Sequence, residues 1–224
     1  LSLNKATLFL KYKAATEIAL GGFVRYDVPM EILSELFGSA ARVKLMRLFL
    51  FHPQVVFDEE TLESRSKVSR KELKRQLREL HAASLVSSRT VPKGKKRKVQ
   101  VWSLNEEFTY LPELKQLLIN SALVRHGEVA KRFQKVGKIK LLVLTGVFIQ
   151  QENDSRVDLL IVGDGIRKNA LENAMKILES EVGKEISYAA FETADFKYRL
   201  SMYDKLIRDI LDFPHEKLIN KINV

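Results

Sequence analysis

Residues 69–104 read SRKELKRQLRELHAASLVSSRTVPKGKKRKVQVWSL, and the hydrophobic period changes halfway along them. In the first half Leu73, Leu77 and Leu80 recur at helical spacing and fall within a sector of about 60° on a helical wheel, with Lys71, Lys74, Arg75 and Arg78 opposite. One face is apolar and the other cationic. Ser69, with Glu72 three residues on, predicts a capping box that opens this helix, which runs to about Ala83. The second half is a hairpin. Residues 85–91 are rich in Ser, Val and Thr, the run from Pro92 to Arg97 supplies turn residues, and residues 98–104 alternate with period two. The charge follows the same segment: from Ser64 to Lys98, thirteen Lys and Arg face two acids, Glu72 and Glu79, a surplus of eleven in a chain whose net charge is +10. Basicity is therefore a local device, a field that phosphates feel across about 8 Å at physiological salt.

Upstream, Ser39 predicts the cap of a helix through Arg42 to Phe51, stopped by Pro53. Asp58 predicts a second cap, with Phe57 and Leu62 at the positions of a hydrophobic staple, for a short helix ending near Ser66. Lys67 and Val68 form the turn. Helix, helix, turn, helix, two-stranded wing is an order that resembles the winged helix-turn-helix transcription factors, over residues 31–105. The resemblance implies duplex DNA as partner. Arg70, Lys71, Lys74, Arg75 and Arg78 would enter or flank the major groove, Ser69 and the helix N-terminus would lie near a phosphate, and Lys93, Lys95, Lys96, Arg97 and Lys98 would hold the neighbouring backbone. Trp102 is expected to pack within the wing or against the linker.

After Asn105 the charges balance. Residues 106–138 read as a helical connector with helices over 111–121 and 124–136. Residues 139–224 read as strands over 139–149, 156–162 and 186–191, a helix over 166–182 ended by Gly183, and a helical tail with a break at Pro214. Residues 146–162, GVFIQQENDSRVDLLIV, resemble the core of minimal nucleotidyltransferases of the polymerase-β type, and the likeness extends over roughly 124–222. That family places a Gly-Ser at the end of its first strand and two carboxylates, at i and i+2, on the next. Such a pair faces one side of the strand and can clamp two Mg²⁺ ions. Here Gly146 matches the Gly, Val147 replaces the Ser, and Asp154 and Ser155 lead into the strand. Arg156 stands where the first metal-binding Asp belongs, and Asp158 keeps the second. The third strand has no acid, with Glu192 just beyond it. The resemblance thus implies a degenerate nucleotide site, Gly146, Ser155, Arg156 and Asp158, with no catalytic residue and no cofactor.

The absence of Cys excludes disulfides and zinc-thiolate sites, and the four His are far apart in sequence, so no metal site is expected. No apolar run reaches the roughly 18 residues of a membrane helix, so no membrane partner is expected and a cytoplasmic location is. Residues 1–30 form an N-terminal extension without an assigned function. The expectation is an α+β chain of two domains: a winged helix-turn-helix, then a nucleotidyltransferase-like mixed α/β domain with C-terminal helices, inactive and serving dimerisation or the sensing of an anionic or nucleotide ligand. The rival is an active nucleotidyltransferase recruited to RNA or protein by its basic module.

Overall fold

The computed structural model describes residues 30–93, 97–119, 126–150 and 157–224. Residues 1–29 of the extension, the wing-tip residues Lys95 and Lys96, and Ser155 and Arg156 of the degenerate site lie outside the described residues, as does the side chain of Arg97.

Helix α1 (Met30–Leu36) leads to α2 (Ala40–Phe51), which opens where the Ser39 side chain accepts from the Arg42 amide. Helix α2 is apolar nearly all round: Val43, Leu45, Met46, Leu48, Phe49 and Leu50 are all buried, so it is a central helix rather than a surface one. Strand β1 (Phe57–Asp58) runs into α3 (Glu59–Ser66), where Asp58 accepts from the Thr61 amide and Lys67, at φ 54°, ends the helix in the left-handed region. Helix α4 (Arg70–Ala82) follows, then β2 (Val86–Lys93) and β3 (Arg97–Leu104). The strands pair in the order β1-β3-β2, with Phe57 opposite Trp102 and Val86 opposite Leu104. This is a winged helix. Its core gathers Phe49 and Leu50 of α2, Phe57, Leu62 of α3, and Leu73, Leu77 and Leu80 of α4. Trp102 closes it from the wing, its ring edge-on to His81 at 5.9 Å.

The stretch between the halves is not a separate connector. Helix α5 (Leu111–Leu118) packs Leu111, Leu114 and Leu118 into the winged-helix core, whereas α6 (His126–Phe133) puts Val129 and Phe133 into the next one. The second half is a four-stranded sheet of order β6-β5-β4-β7: β4 (Lys138–Leu144), β5 (Leu159–Asp164), β6 (Tyr188–Glu192) and β7 (Glu216–Asn220). Strand β5 is antiparallel to β4 and parallel to β6, the parallel crossing being made by α7 (Lys168–Val182). Helices α6 and α7 cover one face, and α8 (Thr193–Ser201) with α9 (Lys205–Leu211) covers the other. With both faces buried, β4 and β5 are continuous apolar runs.

Two expectations change here. The first strand stops at Leu144, and residues 146–149 wind into a 3₁₀ turn. The tail is not all helical: Tyr203, at φ 55°, separates α8 from α9, and beyond Pro214 the chain becomes β7, laid antiparallel along β4. The free edge of β4 sets this outcome, because its buried N–H and C=O groups need partners.

The halves meet along α2 and α7. Gly183 ends α7 at φ 87°, where an added Cβ would stand 2.7 Å from the backbone of both Arg47 and Leu48. Arg47, fully buried, donates through Nε to the Leu118 carbonyl and through Nη1 to the Glu181 carbonyl. Glu181 pairs with Arg132 of α6 at 2.5 Å, and Lys44 reaches Ser180 at 3.3 Å. Burial pulls the Arg47 guanidinium down to about 10, so it stays charged at neutral pH. Burial also pushes the Glu181 carboxyl up, outweighing the Arg132 pair. At the edge of the junction Arg65 of α3 contacts Glu185 and the Nε2 of His52, whose Nδ1 lies 2.9 Å from the Leu48 carbonyl.

Candidate nucleic-acid interface

Helix α4 turns Leu73, Gln76, Leu77 and Leu80 into the core and leaves Arg70, Lys71, Lys74, Arg75 and Arg78 exposed. The apolar stripe that the sequence displays therefore decides which face the cations occupy. Ser69, Lys71, Glu72, Arg75 and Arg78 border one shallow groove. On the other side Arg70 faces the wing residues Lys93 and Lys98 across a second groove of about 460 Å³, which also holds Asp58, Glu59, Glu60 and Glu63. Two predicted contact residues meet acids of this groove. Lys93 lies 2.9 Å from Asp58 and 3.7 Å from Glu60, and Lys74 lies 3.7 Å from Glu59. Two hydrogen bonds from Thr61, reinforced by Lys93, hold the Asp58 carboxyl down at about 2.

The capping box does not form. Ser69 occupies the N-cap position with extended backbone but no side-chain cap bond. Glu72 turns away from it: its Oε1 accepts from Arg75 Nη2 at 2.7 Å, Gln76 Nε2 at 2.8 Å and Ser39 Oγ at 3.4 Å. A guanidinium is a stronger donor than the lone Ser69 amide, and it wins. Gln76 in turn accepts from Arg42 Nε at 2.8 Å, and Arg42 also pairs with Glu79. The cationic helix is thus tied to the N-terminal turn of α2 by Ser39, Arg42, Glu72, Gln76 and Glu79, a set the sequence reading missed. Its trace in the sequence is Gln76, a polar residue inside an apolar stripe. Chiefly through the Arg75 bond, the Glu72 carboxyl is held below its ordinary range, and the same bond raises Arg75.

In the second half, Gly146 and Asp158 come together for a structural reason. Asp158 Oδ1 accepts from the Val147 amide and Oδ2 from the Ser187 amide, both at 2.9 Å, tying the 3₁₀ turn to the segment that enters β6. Gly146 sits at φ 52°, and a Cβ there would lie 2.2 Å from Asp158 Oδ1. Both oxygens of the carboxylate are thereby turned onto backbone. Glu192 is no substitute for a third ligand. It pairs in register with Gly163, five residues along β5 from Asp158 or roughly 16 Å at strand rise, and it accepts from the Gly165 and Ile166 amides. Among the described residues no group of three His, Asp or Glu is placed to hold a metal, and no helix is long and apolar enough to cross a membrane.

No family model matches the chain, and no curated protein does. Solved structures that it resembles include a chain described as a possible transcriptional regulator from Methanosarcina mazei Go1, 17% identical over 52% of this chain and 98% of that one, at a TM-score of 0.34. The reduced form of MarR from E. coli is 20% identical over 60% and 88%, at 0.33. A C30AH42A mutant of Lactococcus lactis ZitR in apo form is 15% identical over 60% and 81%, at 0.32. At these scores the winged-helix description rests on helix order and strand pairing, not on the superpositions.

Proposed function

We propose that this chain is a sequence-specific DNA-binding protein, a transcriptional regulator in which α4 and the wing engage duplex DNA. The single observation that carries the reading is the exposed face of α4: five cations project from a helix whose opposite face is fixed in the core, beside a basic hairpin. A solvated face needs no such concentration, and a phosphate backbone rewards it. The second domain serves as a platform for dimerisation or for sensing an anionic or nucleotide ligand, as an inactive relative of the minimal nucleotidyltransferases. Support for inactivity comes from Asp158, whose oxygens both serve backbone amides, and from Glu192, which lies at the far end of the sheet.

The test is titration of labelled duplex DNA over a range of KCl concentrations. If helix and wing neutralise five to eight phosphates, log K should fall against log salt with a slope of about −5 to −7. A flat response overturns the reading. Incubation with labelled NTPs and Mg²⁺ tests the rival: label transfer that is lost in Asp158→Asn would make the chain an enzyme.

A further inference from the structure

The cations of α4 are not equivalent. Lys74 leans toward Glu59 of α3. Arg78 folds its Nε back onto the Lys74 carbonyl at 3.3 Å. Arg75 alone among the five is held by a carboxylate that is itself anchored, since Glu72 is bound by Gln76 from the same helix and by Ser39 from the N-terminus of α2. The Arg75 side chain is nevertheless 57% exposed. Glu72 takes one N–H of Nη2, and an arginine has four further N–H donors to offer a ligand.

From this geometry we infer that Arg75 is the base-reading residue of α4, that the base it reads is guanine, and that Glu72 is the positioning residue that fixes its fork. The inference rests on the DNA-binding reading above. A guanidinium fork offers two parallel donors. In the major groove guanine presents two acceptors, O6 and N7, whereas adenine pairs its N7 with an N6 amino donor that opposes a second N–H. A free arginine loses rotamer entropy on binding a base edge. One already tethered through Nη2 loses less, and the tether also restricts the alternative poses in which the fork would grip a phosphate. Arg70, Lys71, Lys74 and Arg78 then serve the backbone and carry no base preference.

The experiment selects binding sites for the full chain from a randomised duplex library. It then measures affinity for the selected site, for the same site with adenine or 7-deazaguanine at the preferred guanine, and for the salt dependence of each. Wild type should favour guanine roughly tenfold or more over adenine and lose a similar factor on 7-deazaguanine, which lacks the N7 acceptor. Arg75→Ala should bind the three sites alike, whereas Arg75→Lys, which keeps the charge but not the fork, should show nearly the wild-type salt slope and a smaller guanine preference. Glu72→Gln, which removes an anion from this face, should bind non-selected DNA at least as tightly as wild type and keep its melting temperature while the guanine preference shrinks. A merely structural glutamate would not produce that pattern. Guanine preference that survives undiminished in Arg75→Ala overturns the proposal; if the same preference is lost in Glu72→Gln, the reader is Glu72, accepting from the amino group of the paired cytosine. Salt-sensitive DNA binding without any preferred guanine overturns it and leaves the DNA-binding reading standing. Failure of wild type to bind duplex at low salt overturns both.

Discussion

Helix α2 serves two carboxylates with opposite fates. Ser39 and Arg42, at its N-terminus, belong to the network of Glu72, while Lys44 and Arg47, in its middle, face Glu181. The Glu72 carboxylate accepts three hydrogen bonds, whereas that of Glu181 accepts one, from Arg132, with its Oε2 buried and unpartnered. Glu72 is held below its ordinary range and Glu181 is pushed above it. Hydrogen bonding and solvent set the difference together. At the surface a hydrogen bond from Arg75 adds to hydration that is largely retained, whereas in the junction the lost hydration exceeds what nearby cations return. The arginines follow suit: Arg75 stays available to a ligand, and Arg47 is committed to carbonyl groups of the protein itself.

The largest effect should come from unseating the buried network. Gly183→Ala would bring a Cβ against the backbone of α2 at a left-handed position, and we expect a loss of about 3 kcal/mol or more in chemical denaturation. An unchanged unfolding curve would mean that α2 and α7 are not packed as described. Next, Arg132→Met removes the direct partner of Glu181 and should cost about 2–3 kcal/mol at neutral pH, whereas Arg75→Met, at the surface, should leave the melting temperature nearly unchanged. The Arg132→Met defect has a definite pH sign. Glu181 titrates higher in the folded protein than in the unfolded chain, so its contribution is fully present below the unfolded carboxyl value and is lost as pH rises through the folded one. Thermal melts of Arg132→Met should therefore converge on wild type as the buffer is acidified. Equal shifts for the two arginine variants would erase the contrast.

The smallest effect should come from His52, at the rim of the same junction. Burial lowers its value, with Arg65 adding to the effect. The sign is opposite to that of Glu181: stability is fully present above the unfolded histidine value of 6.5 and is lost as pH falls through the lower folded one. Protonation would turn an N–H toward Arg65 in place of the lone pair that accepts from it. Melting temperature should fall over this window in wild type and fall less in His52→Asn. An identical pH profile for the two would show that the ring is not the titrating group.

The winged-helix half was legible because each of its signals is local. Ser39 and Asp58 cap the helices their neighbours predict, and the wing follows the alternation of residues 98–104. The Ser69–Glu72 pair misled for the opposite reason: the local pattern was present, but donors remote in sequence or stronger than an amide claimed the carboxylate. Arg47 left a readable signal, an arginine inside a run apolar on every side, although its partners Leu118 and Glu181 could not be named from spacing. In the second half Gly183 and the stripe of α7 were plain, whereas residues 216–220 are too few to display a period. The Gly146 and Asp158 pair resembles the remnant of a phosphate site, and no spacing shows what the fold adds: Gly146 at positive φ against the Asp158 carboxylate, which accepts from two backbone amides.

Strand β7 also bears on the order in which the molecule is made. It leaves the ribosome after every other strand of its sheet, yet it borders β4, the first of them, so β4 waits with an open hydrogen-bonding edge until some 70 further residues have been synthesised. The winged helix has no such wait, because its core is complete once Leu118 and Ile119 emerge. The nascent chain therefore passes through a stage in which every residue of the basic half's core has emerged while β4 still exposes an apolar edge, the stage at which a chaperone has most to protect.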